Sequence, residues 1–279
     1  MKIFAKLLTP IFIIASLHVA HAVAVLTPTG GDLSIHETAP ASGAPWENVV
    51  RVGSASGVYI GGGWVLTARH VFPSGSTSVT YNGTTYNSDN NYILDLQDTF
   101  TIDSVVTTGD TDLRLFRIET TILGLPTLNI GTVAGPPSTG PLPRVGEALT
   151  MIGFGGGTKR WGTNNVEEIN QAASVSGRPT RMITTDYDTA TSGEGHATGG
   201  DSGGGVFYNN GSNWQIAGLM SAINNTPDPD IGYHIQLSSY ETEINDFITL
   251  NGSAAVPEPS SSALVGLAFV GFILRRSRA

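Results

Sequence analysis

Between Trp46 and Ile248 the chain is broken into short runs rich in Val, Ile, Thr and aromatic residues. They read ENVVRVGSASGVYIGGGWVLTA, TSVTYNGTTYN, TFTIDSVVT, DLRLFRI, EALTMIGFG, RMITTDY, GGVFYNN, NWQIAGLMSAI and GYHIQLSS, divided by Gly, Pro and Asn-Gly. β-Branched and aromatic side chains suit a pleated, half-buried surface, so each run is a candidate strand. Asn82-Gly83 and Asn210-Gly211 stand where hairpin turns belong. Only two stretches have a helical pattern. TARHVF offers a single turn at most, and SSYETEINDFI repeats Tyr240, Ile244, Phe247 and Ile248 at helical spacing behind a Ser start. The pattern predicts an all-β protein, barrels or a sandwich, closed by a C-terminal helix over about 239–249. The Pro/Gly-rich stretch VAGPPSTGPLPRVG separates two β lobes, about 46–130 and about 140–237.

The two ends read differently. MKIFAKLLTPIFIIASLHVAHA has Lys2 and Lys6 ahead of an apolar run and a small-x-small site at Ala20-His21-Ala22. That is the pattern of a secretory signal peptide over 1–22, with the mature chain starting near Val23 and an N-terminal segment, a candidate pro-segment, over 23–45. A membrane span is the weaker reading, because the run is short and Pro10 interrupts it. The last residues, VPEPSSSALVGLAFVGFILRRSRA, carry Pro-Glu-Pro, a serine spacer, an apolar run and a basic finish. The apolar part, Ala263 to Leu274, is about 18 Å of helix against a hydrocarbon core of roughly 30 Å. Residues 251–255 read as a linker and 256–279 as this tail segment.

Composition narrows the function classes. The chain has no cysteine, which excludes disulfides, thiolate nucleophiles and Cys-based metal sites. Net charge is −9, and Lys and Arg are scattered except at the tail, a poor design for nucleic acid. GFGGGT, Gly153 to Thr158, superficially suggests a phosphate loop, but no helical pattern follows it. NSDNNYILD has several oxygen ligands without an EF-hand register. No metal or cofactor is expected. The sequons at Asn82, Asn210 and Asn251, each Asn-Gly, read as turns.

Chemistry enters with ATGGDSGGGVF, Ala197 to Phe207, where glycines surround one Asp-Ser pair and the run passes straight into a strand. Amide hydrolysis without a metal needs an oxygen nucleophile, an oriented base and N–H donors for the oxyanion. Of six histidines, two leave with the signal peptide and His36 sits in a loop pattern, whereas His70 follows the strand GWVLTA. Asp112 opens the apolar run DLRLFRI. Asp110 is its rival, because alternation along a strand puts both on one face.

Together these blocks resemble the trypsin-like (chymotrypsin-family) serine proteases. Thr67-Ala68-Arg69-His70 matches the family's T-A-A-H, Asp112 to Ile118 its D-I-A-L-L-R-L, and Gly200-Asp201-Ser202-Gly203-Gly204 its G-D-S-G-G. Gly153-Phe154-Gly155 is similar to its G-W-G, Ile216 to Ser221 to its V-G-I-V-S strand, and Gly232 to Ile248 to its closing strand and helix. The resemblance implies two antiparallel β-barrels within a protease domain over 46–250, with the site between them. It implies Ser202 as nucleophile, His70 as general base and acid, Asp112 as its orienting partner, and the N–H groups of Gly200 and Ser202 as the oxyanion hole. It places His196, six positions before the nucleophile, at the base of the primary pocket. It gives the Ser221 carbonyl to the substrate backbone and sets Ile223 where a glycine is usual, narrowing the entrance. Asp201 is expected to form a structural ion pair with a freed N-terminus or a basic side chain.

Three departures bear on that comparison. Arg69 replaces the usual alanine and Val71 the usual cysteine, and no I-V-G-G motif lies between Val23 and Trp46. The tail resembles the PEP-CTERM sorting signal of Gram-negative bacteria, which implies an exosortase-like processing enzyme and transient inner-membrane anchoring. The resulting expectation is a monomeric serine endopeptidase acting on protein or peptide substrates, exported to the cell surface or extracellular matrix. The competing reading is a catalytically silent binding protein on the same fold.

Overall fold

Strand β4 (Trp64–Ala68) is buried at every position, and so is β3 (Ala55–Gly61), to which it pairs. A strand covered on both sides reads as an unbroken apolar run, which is how WVLTA appears in the sequence. The close approach of their neighbours explains Gly57, where an added Cβ would lie 2.5 Å from Val52 Cγ2. These strands belong to a computed structural model that describes residues 24–25, 33–102, 105–131, 143–187, 194–224 and 230–252. The leader 1–22, most of the connector and the tail 256–279 lie outside the described residues.

The first lobe is a closed antiparallel barrel. After a two-residue strand β1 (Ala24–Val25) come β2 (Val49–Val52), β3, β4, β5 (Ser78–Tyr81), β6 (Thr84–Ile102) and β7 (Val105–Ile118), closing in the order β2-β3-β4-β7-β6-β5. Asn82 (φ 46°) and Gly83 (φ 77°) form the β5–β6 turn, both left-handed as a type I′ hairpin requires. Strand β7 shows what alternation does: Leu113 and Leu115 face the core shared by the two lobes, while Phe116 and Ile118 fill the barrel with Val50, Val65 and Val79.

The second lobe is a seven-stranded antiparallel sheet. It comprises β8 (Ala148–Gly153), β9 (Arg160–Asn165), β10 (Glu168–Val175), β11 (Arg178–Tyr187), β13 (Gly205–Asn209), β14 (Trp214–Asn224) and β15 (Asp230–Gln236), in the order β10-β11-β15-β14-β13-β8-β9. The short strand β12 (Gly195–His196) pairs instead with β1. Helix α1 (Glu241–Asn251) follows the last strand, with Ile244 fully buried. The all-β architecture, with one α-helix after the last strand among the described residues, is what the sequence pattern predicts, and the double β-barrel is what the family resemblance implies.

Local details differ from that reading. The Asn210-Gly211 turn is a wider loop, because the Asn210 side-chain oxygen accepts from the N–H groups of Ser212 and Asn213. The serines before α1 do not cap it. They accept from Gln236 Nε2, and Tyr240 occupies the N-cap position without a side-chain capping bond. Strands β9 and β10 escaped the sequence reading; β10 has no fully buried position and mixes polar with apolar residues, and its hairpin with β11 turns on Ser176-Gly177.

Candidate active site

Strand β4 delivers the chain to His70 through a tight turn rather than a helix. Val71 N–H donates to Ala68 O at 3.1 Å and Phe72 N–H to Arg69 O at 3.1 Å. The adjacent strand β7 presents Asp112, wholly buried, across the Ala68–Leu113 pairing. Its carboxylate meets His70 twice: Oδ1 accepts from the backbone N–H at 3.0 Å and Oδ2 from ring Nδ1 at 2.8 Å. A carboxylate accepts, so Nδ1 carries the proton and Nε2 is left as the ring's acceptor. The second lobe secures the same aspartate. Ser221 Oγ donates to Asp112 Oδ2 at 2.6 Å, and Asp112 N–H donates to Thr180 Oγ1 at 2.9 Å.

Asp110 takes another part. It lies toward solvent, paired with Arg69 and accepting from Gln97 Nε2 at 3.2 Å. The bond from Arg69, then that from Gln97, holds its carboxyl below the usual range. Asp112, not Asp110, is the aspartate beside His70.

Ser202 sits in the glycine-rich turn before β13, and it lines one cleft with His70, Val71, Gly199 and Gly200. The turn is packed too tightly for side chains. At Gly203 (φ 81°) an added Cβ would lie 2.3 Å from both Ser56 O and Thr67 Oγ1. Gly200 (φ 97°) has left-handed backbone, and its carbonyl accepts from Ser56 Oγ at 2.9 Å. Neither Gly200 nor Ser202 finds a backbone acceptor for its N–H among the described residues.

Asp201 is fully buried beneath this turn. Its carboxylate accepts from Gly155 N–H at 2.8 Å, Thr198 N–H at 2.8 Å and Thr198 Oγ1 at 3.2 Å. The GFGGGT stretch thus serves as a cradle for a carboxylate, and an added Cβ at Gly153 would strike Asp201 Oδ1 at 2.3 Å. Backbone N–H groups that point at a buried carboxylate stabilise its charged form.

Beside Ser202 lies a small cavity of about 130 Å³, walled by Ala197, Thr198, Met220, Ser221, Ala222 and Ile223. Ile223, 36% exposed, stands at its rim. His196 does not line it. The ring is buried against Tyr187, centroids 4.8 Å apart and nearly parallel, and neither nitrogen has a hydrogen-bond partner among the described residues. Burial pushes its pKa down, opposed by the charge of Asp230. His234, also buried, shares Nε2 with Thr185 Oγ1 at 3.0 Å, and desolvation pushes its pKa to about 3, helped by neighbouring His196.

Sequence reasoning missed the Ser221 hydroxyl, Thr180, and Ser56, which bridges Gly200 O and Phe154 N–H. The Ser of the V-G-I-V-S-like strand was the available signal for the first. Thr180 and Ser56 carry none.

An antiparallel double barrel that brings serine, histidine and buried aspartate to one cleft defines the trypsin-like class of proteins. The family model Trypsin matches residues 33–244, and the chain belongs to that family. The PEP-CTERM protein-sorting motif, a signal for export and membrane-associated sorting, matches residues 255–278. Among solved structures, the inactive form of a serine-to-alanine mutant of Rv3671c from M. tuberculosis is similar over 81% of this chain and 97% of that chain, with 17% identity and a TM-score of 0.51. At that identity the likeness is one of fold. No curated protein matches the chain.

Proposed function

We propose that the chain is an exported serine endopeptidase that cleaves protein or peptide substrates through an acyl-enzyme on Ser202. The observation that carries the reading is the Asp112 carboxylate, buried and bonded to His70 Nδ1 at 2.8 Å, with His70 and Ser202 on one cleft. In this mechanism Ser202 Oγ attacks the scissile carbonyl carbon as its proton passes to His70 Nε2. The negative charge developing on the carbonyl oxygen is met by the N–H groups of Gly200 and Ser202. The C–N bond then breaks, and His70 returns the proton to the leaving amine. Water, deprotonated by His70, attacks the ester carbonyl, and its collapse releases the acid and restores Ser202. Asp112 holds the ring in the required tautomer throughout.

The Ser221 carbonyl aligns the substrate backbone, and the cavity walled by Ala197, Met220 and Ile223 receives the side chain before the cut. Its size and lack of charge favour a small or medium uncharged residue there. His196, behind the wall and with its charged form disfavoured by burial, gives no help to an acidic one. Asp201 stabilises the nucleophile turn, and the pairing of β1 with β12 brings residues near the expected mature start at Val23 beside the strand leading into that turn. The tail directs an exosortase-like enzyme, with transient inner-membrane anchoring, to leave a monomeric protease domain over 46–250 at the surface of a Gram-negative cell.

Fluorophosphonate labelling tests the reading. Wild type is expected to label at one serine, and Ser202→Ala to lose both labelling and proteolysis while its melting curve is retained. Labelling of the variant at another serine overturns the assignment, and an unreactive wild type makes the barrel a binding module.

A further inference from the structure

The turn that carries His70 has no covalent brace, since the chain has no cysteine. Two arginines grip it instead. Arg69, one residue before His70, donates its backbone N–H to Asp112 O at 2.7 Å and extends its guanidinium to Asp110 and, at 3.1 Å, to Asp95. Arg114, on β7, donates Nη1 to Phe72 O, the carbonyl two residues after His70, and its guanidinium carbon lies 4.9 Å from the Phe72 ring centre. Arg114 is 4% exposed, and its Nε and Nη2 grip both oxygens of Asp95 at 2.6 Å each. One carboxylate on β6 therefore joins the two arginines that hold either end of the His70 turn.

We propose that Asp95 is a positioning residue for His70, acting through Arg69 and Arg114; the inference rests on the protease reading above. The geometry is bidentate on the Arg114 side, the arrangement that fixes direction as well as distance. Without Asp95, Arg114 is a nearly buried cation lacking its carboxylate, and it faces Arg69 with no anion between them. Both guanidiniums would shift, taking Phe72 and Arg69 with them and swinging the imidazole. A displacement of about 1 Å at a reacting group costs on the order of 100-fold in rate. Asp110 is not equivalent. Its side chain is 41% exposed, it meets only one of the two arginines, Arg69, with Gln97 as its other partner, and its removal leaves Arg69 on Asp95.

The test uses the full chain with three variants, Asp95→Asn, Arg69→Gln and Asp110→Asn. For each, the fluorophosphonate acylation rate, kcat and KM on a peptide substrate, melting temperature and the downfield proton resonance of the His70–Asp112 hydrogen bond are measured. Asp95→Asn is expected to lower acylation and kcat about 10- to 100-fold with KM within about twofold, and to broaden the downfield proton by faster exchange. Asp110→Asn is expected to leave both within about threefold of wild type. A folded Asp95→Asn with wild-type acylation and an unchanged downfield proton overturns the proposal. Should Asp95→Asn fail to fold, Arg69→Gln decides: an unchanged rate and proton overturn it, and loss of both supports it. A wild type that does not label, yet whose downfield proton is lost in Asp95→Asn, would refute the protease reading while keeping the positioning role.

Discussion

Ser221 Oγ donates to Asp112 Oδ2 at 2.6 Å, so the buried carboxylate that orients His70 in the first lobe is held by a hydroxyl from the second. Asp112 is fully buried, and each donor lost from it leaves an anion less well solvated. A hydrogen bond to a charged group is worth about 1.5–3 kcal/mol. Ser221→Ala should therefore lower kcat roughly tenfold with little change in KM, because the backbone carbonyl stays in place. Steady-state kinetics on one peptide substrate decides it. A threefold or larger change confined to KM would mean that the hydroxyl serves the substrate instead.

Asp112→Asn should reduce turnover on the order of 10⁴-fold, the magnitude of the general protease template, because an amide at that point accepts poorly and favours the wrong tautomer. The melting temperature should also drop, since Ser221 and the His70 backbone lose a charged partner. If Asp110→Asn were the more damaging change, the pairing of His70 with Asp112 would have to be abandoned.

Acid stability should depend on His234 and His196. Burial lowers both, His234 to about 3, below the unfolded value of about 6.5. The unfolded chain then binds more protons than the folded one between those values, so stability is full above about 6.5 and falls as pH drops toward about 3. Replacing the ring by an amide that keeps a bond to Thr185, His234→Gln, should flatten the fall in melting temperature from pH 7 to pH 4. A variant as acid-labile as wild type would place the effect elsewhere.

A peptide-library digest at pH 6 and pH 8 reads the pocket. Cleavage should follow small or medium uncharged residues at both pH values, because the walls are uncharged, His196 does not line the cavity, and burial disfavours its charged form. Dominant cleavage after Lys or Arg would overturn the pocket assignment. A strong gain after Glu or Asp at pH 6 would show that His196 charges and reaches the substrate.

The strand runs, the Asn82-Gly83 hairpin, the terminal helix and the succession of His70, Asp112 and Ser202 were all legible from residue order. Each rests on a local rule: side-chain fit to a pleat, left-handed backbone at Asn-Gly, 3.6-residue periodicity, or a motif only a few residues long. What the chain's local pattern left open depended on neighbours distant in sequence. Period-two alternation in the sequence would put Asp110 and Asp112 on one face, but the β6–β7 pairing is irregular between Arg114 and Asp110, and the fold buries Asp112 beside His70 while Asp110 meets Arg69. His196 falls behind the cavity wall because its ring stacks on Tyr187, and β10 remained hidden because an edge strand that mixes polar with apolar residues has little apolar rhythm. The clasp on Asp95 forms where the β6–β7 pairing slips between Asp95 and Gln97. Strand register, bulges included, is decided by the summed packing of the whole barrel, so these contacts exist only once the tertiary fold has closed.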